Sequence, residues 1–383
     1  MNLTGLLLNP EQIQFTESVR SFVDTEIIPN ATAWDLKEAY PKDLLRRFGD
    51  LGWLGVTVPE AYGGSGGGSV LYALLCAELA RGSAGIALGF YVHTALASSA
   101  LVHLANETQR KRWLPGTVSG EKIGCWAYAE PNAGADVSTV QTRAVRDGDE
   151  YVINGTKMYI TNSPFANFMI VVAMTNPDLG LKGMSVFYVD ADTAGVKVNT
   201  PLRKLGMGAS EMAEIVFEDC RVPAQNRLGP EEAGFIRALK VLTLGRIASA
   251  AFGVGLGRAA MNESQLYCNQ RIQFGGPLTA NQFIRFTLAD MATRLEAAWQ
   301  LCLHSAHLAD AGHPHDQEAS MAKLFATETC TWACERALHL CGAQGYMKES
   351  PVQRFYRDCK VLEIGEGTSE IQRETIFRQM GLS

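Results

Sequence analysis

The chain has 383 residues, 47% of them hydrophobic, and a formal net charge of -6, which is enough apolar material for a large core spread over two or three domains. The acidic balance, with no Lys/Arg run interleaved with aromatics, leaves no basic field for a polyanion and excludes nucleic acid as a partner class. No segment approaches 18 uninterrupted apolar residues, and the opening MNLTGLLLNPEQIQF has neither a basic start nor a small-residue cleavage site. No membrane span is therefore expected, and the protein is expected in the cytoplasm, or in an organelle matrix if a transit sequence has been removed.

Between about residues 10 and 120, SVRSFVDTEIIP, PKDLLRRFGDLGW, VLYALLCAELARG and HTALASSALVHLANETQRKRWLP place apolar residues three or four apart, the spacing of helices. The glycine-rich GGSGGGS after PEAY reads as a tight loop rather than a linker, because helical pattern resumes directly beyond it. After Glu121 the pattern changes. Asp147-Gly148 and Asn154-Gly155 are turn signals separating short runs such as YVIN and KMYIT, and MIVVAM, MSVFYVD, GVKVN and AEIVFEDCRV continue the strand pattern to Pro223. From about Glu231 the helical period returns in three long segments, beginning at GFIRALK, NQFIRF and HDQEASM. Runs beyond about 25 residues without strong breakers indicate a bundle of long helices. The expected organisation is α+β and multidomain: a helical domain over 1–122, a β domain over 123–230 and a helical bundle over 231–383. Nine cysteines, an odd number scattered from Cys76 to Cys359 without a C-x-x-C pair, read as buried thiols in a reducing compartment.

Several motifs carry potential chemistry. Gly255, Gly257 and Ala260 match G-x-G-x-x-A, but the segment before them is helical, so they read as small residues for close helix packing. His304 and His307 have helical spacing, yet no cysteine or carboxylate pattern completes a metal set. Arg271 to Gly275 is either a cationic helix end or a phosphate contact. The small, polar segment Ala129–Thr139 is either a surface loop or a ligand-binding one. In VLEIGEGTSEIQRETIFRQM, Ser369 and Gln372 have capping-box spacing, so Glu366 falls in a glycine-flanked loop at a helix entrance. It is either a surface turn or a base that needs bare backbone around it.

PEAYGG, AEPNAGAD, INGTKMYITN, KLGMGASEMAEIVFEDCRVP, RIQFGGPL, LCGAQGY and EIGEGTSEIQR, in this order over nearly the whole chain, resemble the acyl-CoA dehydrogenase family. The resemblance implies noncovalently bound FAD, a central β-barrel between two helical domains, and a homotetramer. It implies removal of an α-proton from an acyl-CoA thioester by Glu366, hydride transfer to the flavin, and electrons passed on to an electron-transfer flavoprotein. The near alternatives are a carrier-protein-bound acyl thioester or oxygen as acceptor; the distant one is a non-catalytic helical scaffold.

Carried over by motif, the resemblance places FAD contacts at Trp126, Tyr128, Ala129, Tyr159, Thr161, Thr368 and Glu370. It assigns Arg271, Phe274, Asn281, Gln282, His339 and Ala343 to FAD as well, with Arg271, Phe274 and the His339 stretch reaching a neighbouring subunit's cofactor. Substrate contacts fall at Ala135, Thr243, Arg246 and Gly367. Some relatives carry the base on the helix that opens the C-terminal domain; here that position is Gly245. Ala129, Ala135, Asn132, His339 and Gly365 depart from the usual threonine, serine, glycine, glutamine and tyrosine, and Gly365 suggests a wider acyl pocket for a branched or aromatic group.

Overall fold

Asn9 starts the first helix with a reciprocal cap: its side chain accepts the Gln12 N–H while the Gln12 side chain accepts the Asn9 N–H. The computed structural model describes residues 8–231, 233–239 and 241–381. Helix α1 (Pro10–Phe22) runs through a π-helical stretch into α2 (Ile28–Lys37), followed by α3 (Asp43–Asp50), α4 (Gly68–Gly82) and α5 (Ala84–Tyr91). A second π-helical stretch, Val92–Ser98, leads to α6 (Ser99–Leu104) and α7 (Glu107–Val118). The last helix expected from the sequence is thus broken, because Asn106 repeats the Asn/Gln capping box with Gln109. The glycine-rich loop is tight, with the Ser65, Gly66 and Gly67 N–H groups bonded to the carbonyls of Gly55, Val58 and Val56.

The middle region contributes β1 (Gly124–Ala127), β2 (Arg143–Asp147), β3 (Glu150–Thr161), β4 (Phe168–Met174), β5 (Met184–Asp190), β6 (Val196–Val198), β7 (Met212–Pro223) and β8 (Arg227–Leu228). They form one sheet in the order β6-β7-β3-β2-β4-β5-β8, with β1 parallel to β4. The two halves touch along the ladder only at Arg143 and Met174, but they close on a shared core in which the Tyr151 and Phe187 rings meet edge to face at 4.9 Å. Gly148, at φ +61, makes the two-residue turn between β2 and β3. Asn154-Gly155 is not a turn. It is a register shift inside the continuous β3, opposite Asp219, where the Asn154 side chain bonds Asp219.

Helix α8 (Gly234–Ala238) leads to the 30-residue α9 (Val241–Gln270), a small hairpin of β9 (Ile272–Gln273) and β10 (Gly276–Pro277), α10 (Gln282–Asp310) and α11 (Asp316–Gly345). Short helices α12 (Pro351–Cys359) and α13 (Val361–Ile364) precede α14 (Ser369–Gln379). Small residues let α9 sit against its neighbours: a Cβ on Gly255 would stand 2.0 Å from the Ala77 carbonyl oxygen of α4, and one on Gly257 2.5 Å from Leu295 of α10. This is the packing role read for the G-x-G-x-x-A match. Two helical runs, Ala84–Leu104 and Gly234–Gln270, are long and apolar enough to cross a membrane by length and composition, with 89% and 76% of their apolar windows buried inside the fold. All nine cysteines are free and buried.

Candidate active site

Glu366 adopts φ +57, the left-handed region that a side-chain-bearing residue enters at a cost, and Gly367 follows at φ +83. Two donors hold this loop from behind. Lys323 of α11 donates to the Gly367 carbonyl at 2.7 Å, and the Gln372 side chain donates to the Glu366 and Gly367 carbonyls, each at 3.0 Å. Gln372 is therefore not half of a capping box: Thr368 caps α14 by accepting the Ile371 N–H, and Ser369 is the first helical residue. With the carbonyls engaged, the N–H groups of Glu366 and Gly367 find no acceptor among the described residues.

The carboxyl of Glu366 points inward, toward α9. A Cβ on Gly245 would lie 2.7 Å from Glu366 Oε2 and 2.9 Å from the Tyr91 hydroxyl, so this glycine leaves the room in which both oxygens stand. Both atoms are sealed from solvent, and neither has a hydrogen-bond partner within 3.5 Å of suitable geometry among the described residues. The residue as a whole is half-buried, but the oxygen that matters for chemistry is sealed in. Burial raises the Glu366 pKa, against the opposing pull of Tyr91, Lys323 and Arg246. Tyr91 is held edge-on against Phe252 at 5.9 Å. Behind it the Tyr72 and Thr94 hydroxyls bond each other at 2.6 Å. Thr243 donates to Asp316 at 2.5 Å, and Arg246, with its Nε buried and unpartnered, reaches the same carboxylate at 3.8 Å.

The sheet presents a second wall. Ala129 accepts the Met158 N–H at 2.8 Å, which lays the segment after β1 beside β3 and brings Trp126, Tyr128, Ala129, Tyr159 and Thr161 onto adjacent strands. Buried Lys157 fastens the arrangement, donating to the Tyr128 carbonyl at 3.0 Å and to Glu130 at 2.7 Å, while Glu130 accepts the Gln141 and Thr142 N–H groups. The end of β3 is tied to α5, the helix that carries Tyr91: the Asn162 side chain donates to the Gly89 carbonyl at 2.8 Å, two residues before Tyr91. Ala135 lies on an exposed loop, next to Gly134, whose carbonyl accepts the Tyr128 hydroxyl.

Family models for the N-terminal, middle and C-terminal domains of acyl-CoA dehydrogenases match residues 9–121, 125–220 and 232–381. The chain belongs to the acyl-CoA dehydrogenase family. It is 38% identical to the short-chain-specific acyl-CoA dehydrogenase of Clostridium acetobutylicum over 96% of this chain and 97% of that one. Butyryl-CoA dehydrogenase from Megasphaera elsdenii superposes with a TM-score of 0.95 at 36% identity, covering 97% of this chain and 98% of that one. A glutaryl-CoA dehydrogenase from Mycobacterium smegmatis in complex with FADH2 has a TM-score of 0.94 at 31% identity, over 99% and 96%.

The protein is thus an acyl-CoA dehydrogenase-type oxidoreductase, and FAD is its cofactor. The residues present fit that group. Tyr159 is 62% exposed at φ +62 and Trp126 is half-buried, so the strands beside Thr161 offer open aromatic surface of the kind a flat ring system covers. Arg271, Phe274, Asn281, Gln282, His339 and Ala343 are not gathered here. From Arg246 to Gln270 the unbroken α9 spans roughly 36 Å at about 1.5 Å per residue, so Arg271 and Phe274 stand at the far end from the base. Phe274 is wholly exposed, and Asn281 caps α10 beside Gln282 in the same region. His339 is exposed near the distal end of α11, roughly 24 Å along it from Lys323 by the same rise, and Ala343 is exposed beyond the break at Gly342. Glu370 lies exposed in the first turn of α14. A side chain at Gly365 would meet nothing closer than the Val361 carbonyl at 3.4 Å.

Sequence reading missed Tyr91, Lys323 and Gln372. Lys323 was detectable: its helical neighbours Ala319, Ala322, Ala326 and Thr327 form a small apolar face, and a lysine there must be buried with a partner.

Proposed function

We propose that the chain is a short-chain acyl-CoA dehydrogenase that removes the α-proton of a short acyl thioester with Glu366 and releases the trans-2-enoyl thioester. The observation that carries this is the dry, unpartnered Glu366 Oε2 in the space left by Gly245. An α C–H is a very weak acid, so the enolate must be stabilised as the base acts; the unengaged N–H groups of Glu366 and Gly367 are suited to donate to the thioester oxygen. FAD, when bound, takes up the β-hydride. Trp126, Tyr128, Ala129, Tyr159, Thr161, Thr368 and Glu370 would hold it beside the base, and Thr243, Arg246, Ala135 and Gly367 would bind the thioester.

Acyl length follows from what stands next to the base. The Tyr91 ring, with its hydroxyl beside Gly245 and Phe252 edge to face against it at 5.9 Å, stands close to the base, which suits a short acyl group. The short-chain and butyryl-CoA names of the relatives agree with this. Arg271, Phe274, Asn281, Gln282, His339 and Ala343 are too far along α9 and α11 to complete the same chain's site, so a second copy supplies them, as in a homotetramer. Electrons leave through an electron-transfer flavoprotein. Free buried thiols fit a reducing compartment such as the cytoplasm.

The test is anaerobic bleaching of the yellow flavin absorbance by a panel of straight short, straight long, branched and aromatic acyl-CoAs. Butyryl-CoA should bleach fastest. Preferential bleaching by branched or aromatic acyl-CoAs would overturn the length argument, and a flavin-loaded protein bleached by none would move the substrate to a carrier-protein thioester.

A further inference from the structure

Lys323 has no exposed surface, yet it stands on α11 with its ammonium aimed at the one loop that carries the base. Nothing in the acid-base step described above uses it. A buried cation is expensive unless it is paired and hydrogen-bonded, so its place calls for a function. Its bonded partner is the Gly367 carbonyl at 2.7 Å, one residue from Glu366.

We propose that Lys323 is a positioning residue for the base: its ammonium fastens the 365–367 loop and keeps the Glu366 carboxyl ionised in the absence of water. The proposal rests on Glu366 being the base. Two kinds of observation support it. Geometrically, Lys323 and Gln372 between them engage the loop's carbonyls, which holds Glu366 and Gly367 at positive φ with their N–H groups unengaged. Electrostatically, Tyr91 opposes the rise in the Glu366 pKa most and Lys323 next, but Tyr91 acts without a charge. Tyr91 of α5 and Tyr72 of α4 are neutral phenols whose pKa values burial drives up. Arg246 of α9 divides its charge with Asp316. Around Lys323, Glu363 of α13 is engaged by Lys360 at 2.6 Å, Glu328 of α11 is bound by Arg373 at 2.8 Å, and Glu370 is exposed. Glu366 is therefore the uncommitted carboxyl that acts most on the ammonium. Burial lowers the Lys323 pKa to about 8, with Glu366 the leading opposing influence, so the amine remains charged at neutral pH.

The experiment reads Glu366 itself. In flavin-loaded protein, the C=O stretch of the protonated carboxyl, identified as the infrared band absent from Glu366→Gln, is titrated with pH. Lys323→Met, which removes both charge and donor, and Lys323→Gln, which keeps a donor but no charge, should each raise the midpoint by about one pH unit or more, a tenfold change in acid dissociation. Lys323→Arg should keep the midpoint near that of the natural chain. An unchanged midpoint in Lys323→Gln overturns the proposal, even if Lys323→Met fails to fold. Bleaching by acyl-CoA, run on the same samples, separates the two ideas: a shifted midpoint in a protein that no acyl thioester bleaches sinks the base reading and leaves Lys323 in place, whereas normal bleaching with no shift sinks only Lys323.

Discussion

Glu366 is useful only when ionised, and its surroundings make ionisation harder: burial raises its pKa, while Tyr91, Lys323 and Arg246 limit the rise. Flavin reduction should accordingly increase with pH along a limb centred above the ordinary carboxylate value of about 4.3. Glu366→Gln should retain the yellow cofactor, lose this limb, and reduce at least about a hundredfold more slowly; rapid reduction in the variant would remove Glu366 from the mechanism. Gly245→Ala tests the gap. Its Cβ would stand 2.7 Å from Glu366 Oε2 and 2.9 Å from the Tyr91 hydroxyl, closer than carbon and oxygen approach without bonding, so the carboxyl must turn away. Stopped-flow reduction should slow by about tenfold or more with flavin content unchanged, because a displaced base is a misaligned one. Glu366 could be read from the sequence because two glycines and an ordered set of motifs mark it. Tyr91 could not, and of Lys323 only its burial could, since each acts through a contact that only the packing of α5 and α11 against the loop creates.

Elements were legible where one local signal dominated and misread where two signals shared a residue. Asn-Gly usually turns a hairpin, but β7 is long enough to pair on both sides of Gly155, and the shift is absorbed by Asp219 at φ +47. Ser369 looked like a cap, yet Thr368, one residue earlier, occupies the capping position and frees Gln372 to hold the loop. His93 shows how an irregular element is fastened. It lies in the π-helical stretch after α5, with one ring nitrogen 2.9 Å from the Thr117 carbonyl and the other accepting the Gly124 N–H at 3.1 Å, so the neutral ring ties α7 to the start of β1. Burial lowers its pKa from 6.5 to about 4. The unfolded chain therefore binds the extra proton between these values, and stability present above pH 6.5 is lost as pH falls toward 4. His93→Leu should remove that limb but leave the Gly124 N–H unpaired, the Thr117 carbonyl keeping the Gly120 N–H, and lower stability by about 1–3 kcal/mol at pH 7 in urea unfolding; an unaltered midpoint would mean that water replaces the ring.

At the scale of the whole molecule, the helical regions on either side of the sheet meet over the loop before β7. Asp35 of α2 accepts the Gly208 N–H and is paired with Arg357 of α12 at 2.6 Å, while Asp358 of the same helix accepts the Met207 N–H. One loop is thereby held from both sides. The helix, sheet, helix order was legible because period and length change with it; this junction was not, because its acids are separated by more than 300 positions and lie in unrelated helices. Asp358 is almost fully buried, and desolvation pushes its pKa from 3.8 up to about 7 despite the Met207 N–H and the two arginines. The sign is opposite to that of His93. Between pH 3.8 and about 7 the folded state holds a proton that the unfolded chain has released, so this residue's contribution to stability declines as pH rises through that interval. Asp358→Asn keeps an oxygen for the Met207 N–H and removes the charge. The melting temperatures of the variant and the natural chain should lie close together below about pH 4, separate in favour of the variant as pH rises, and stop diverging above about pH 7, where Asp358 is already ionised. A variant whose disadvantage grows as pH rises would instead mean that the ionised carboxylate, in the field of Arg354 and Arg357, is the form the junction needs.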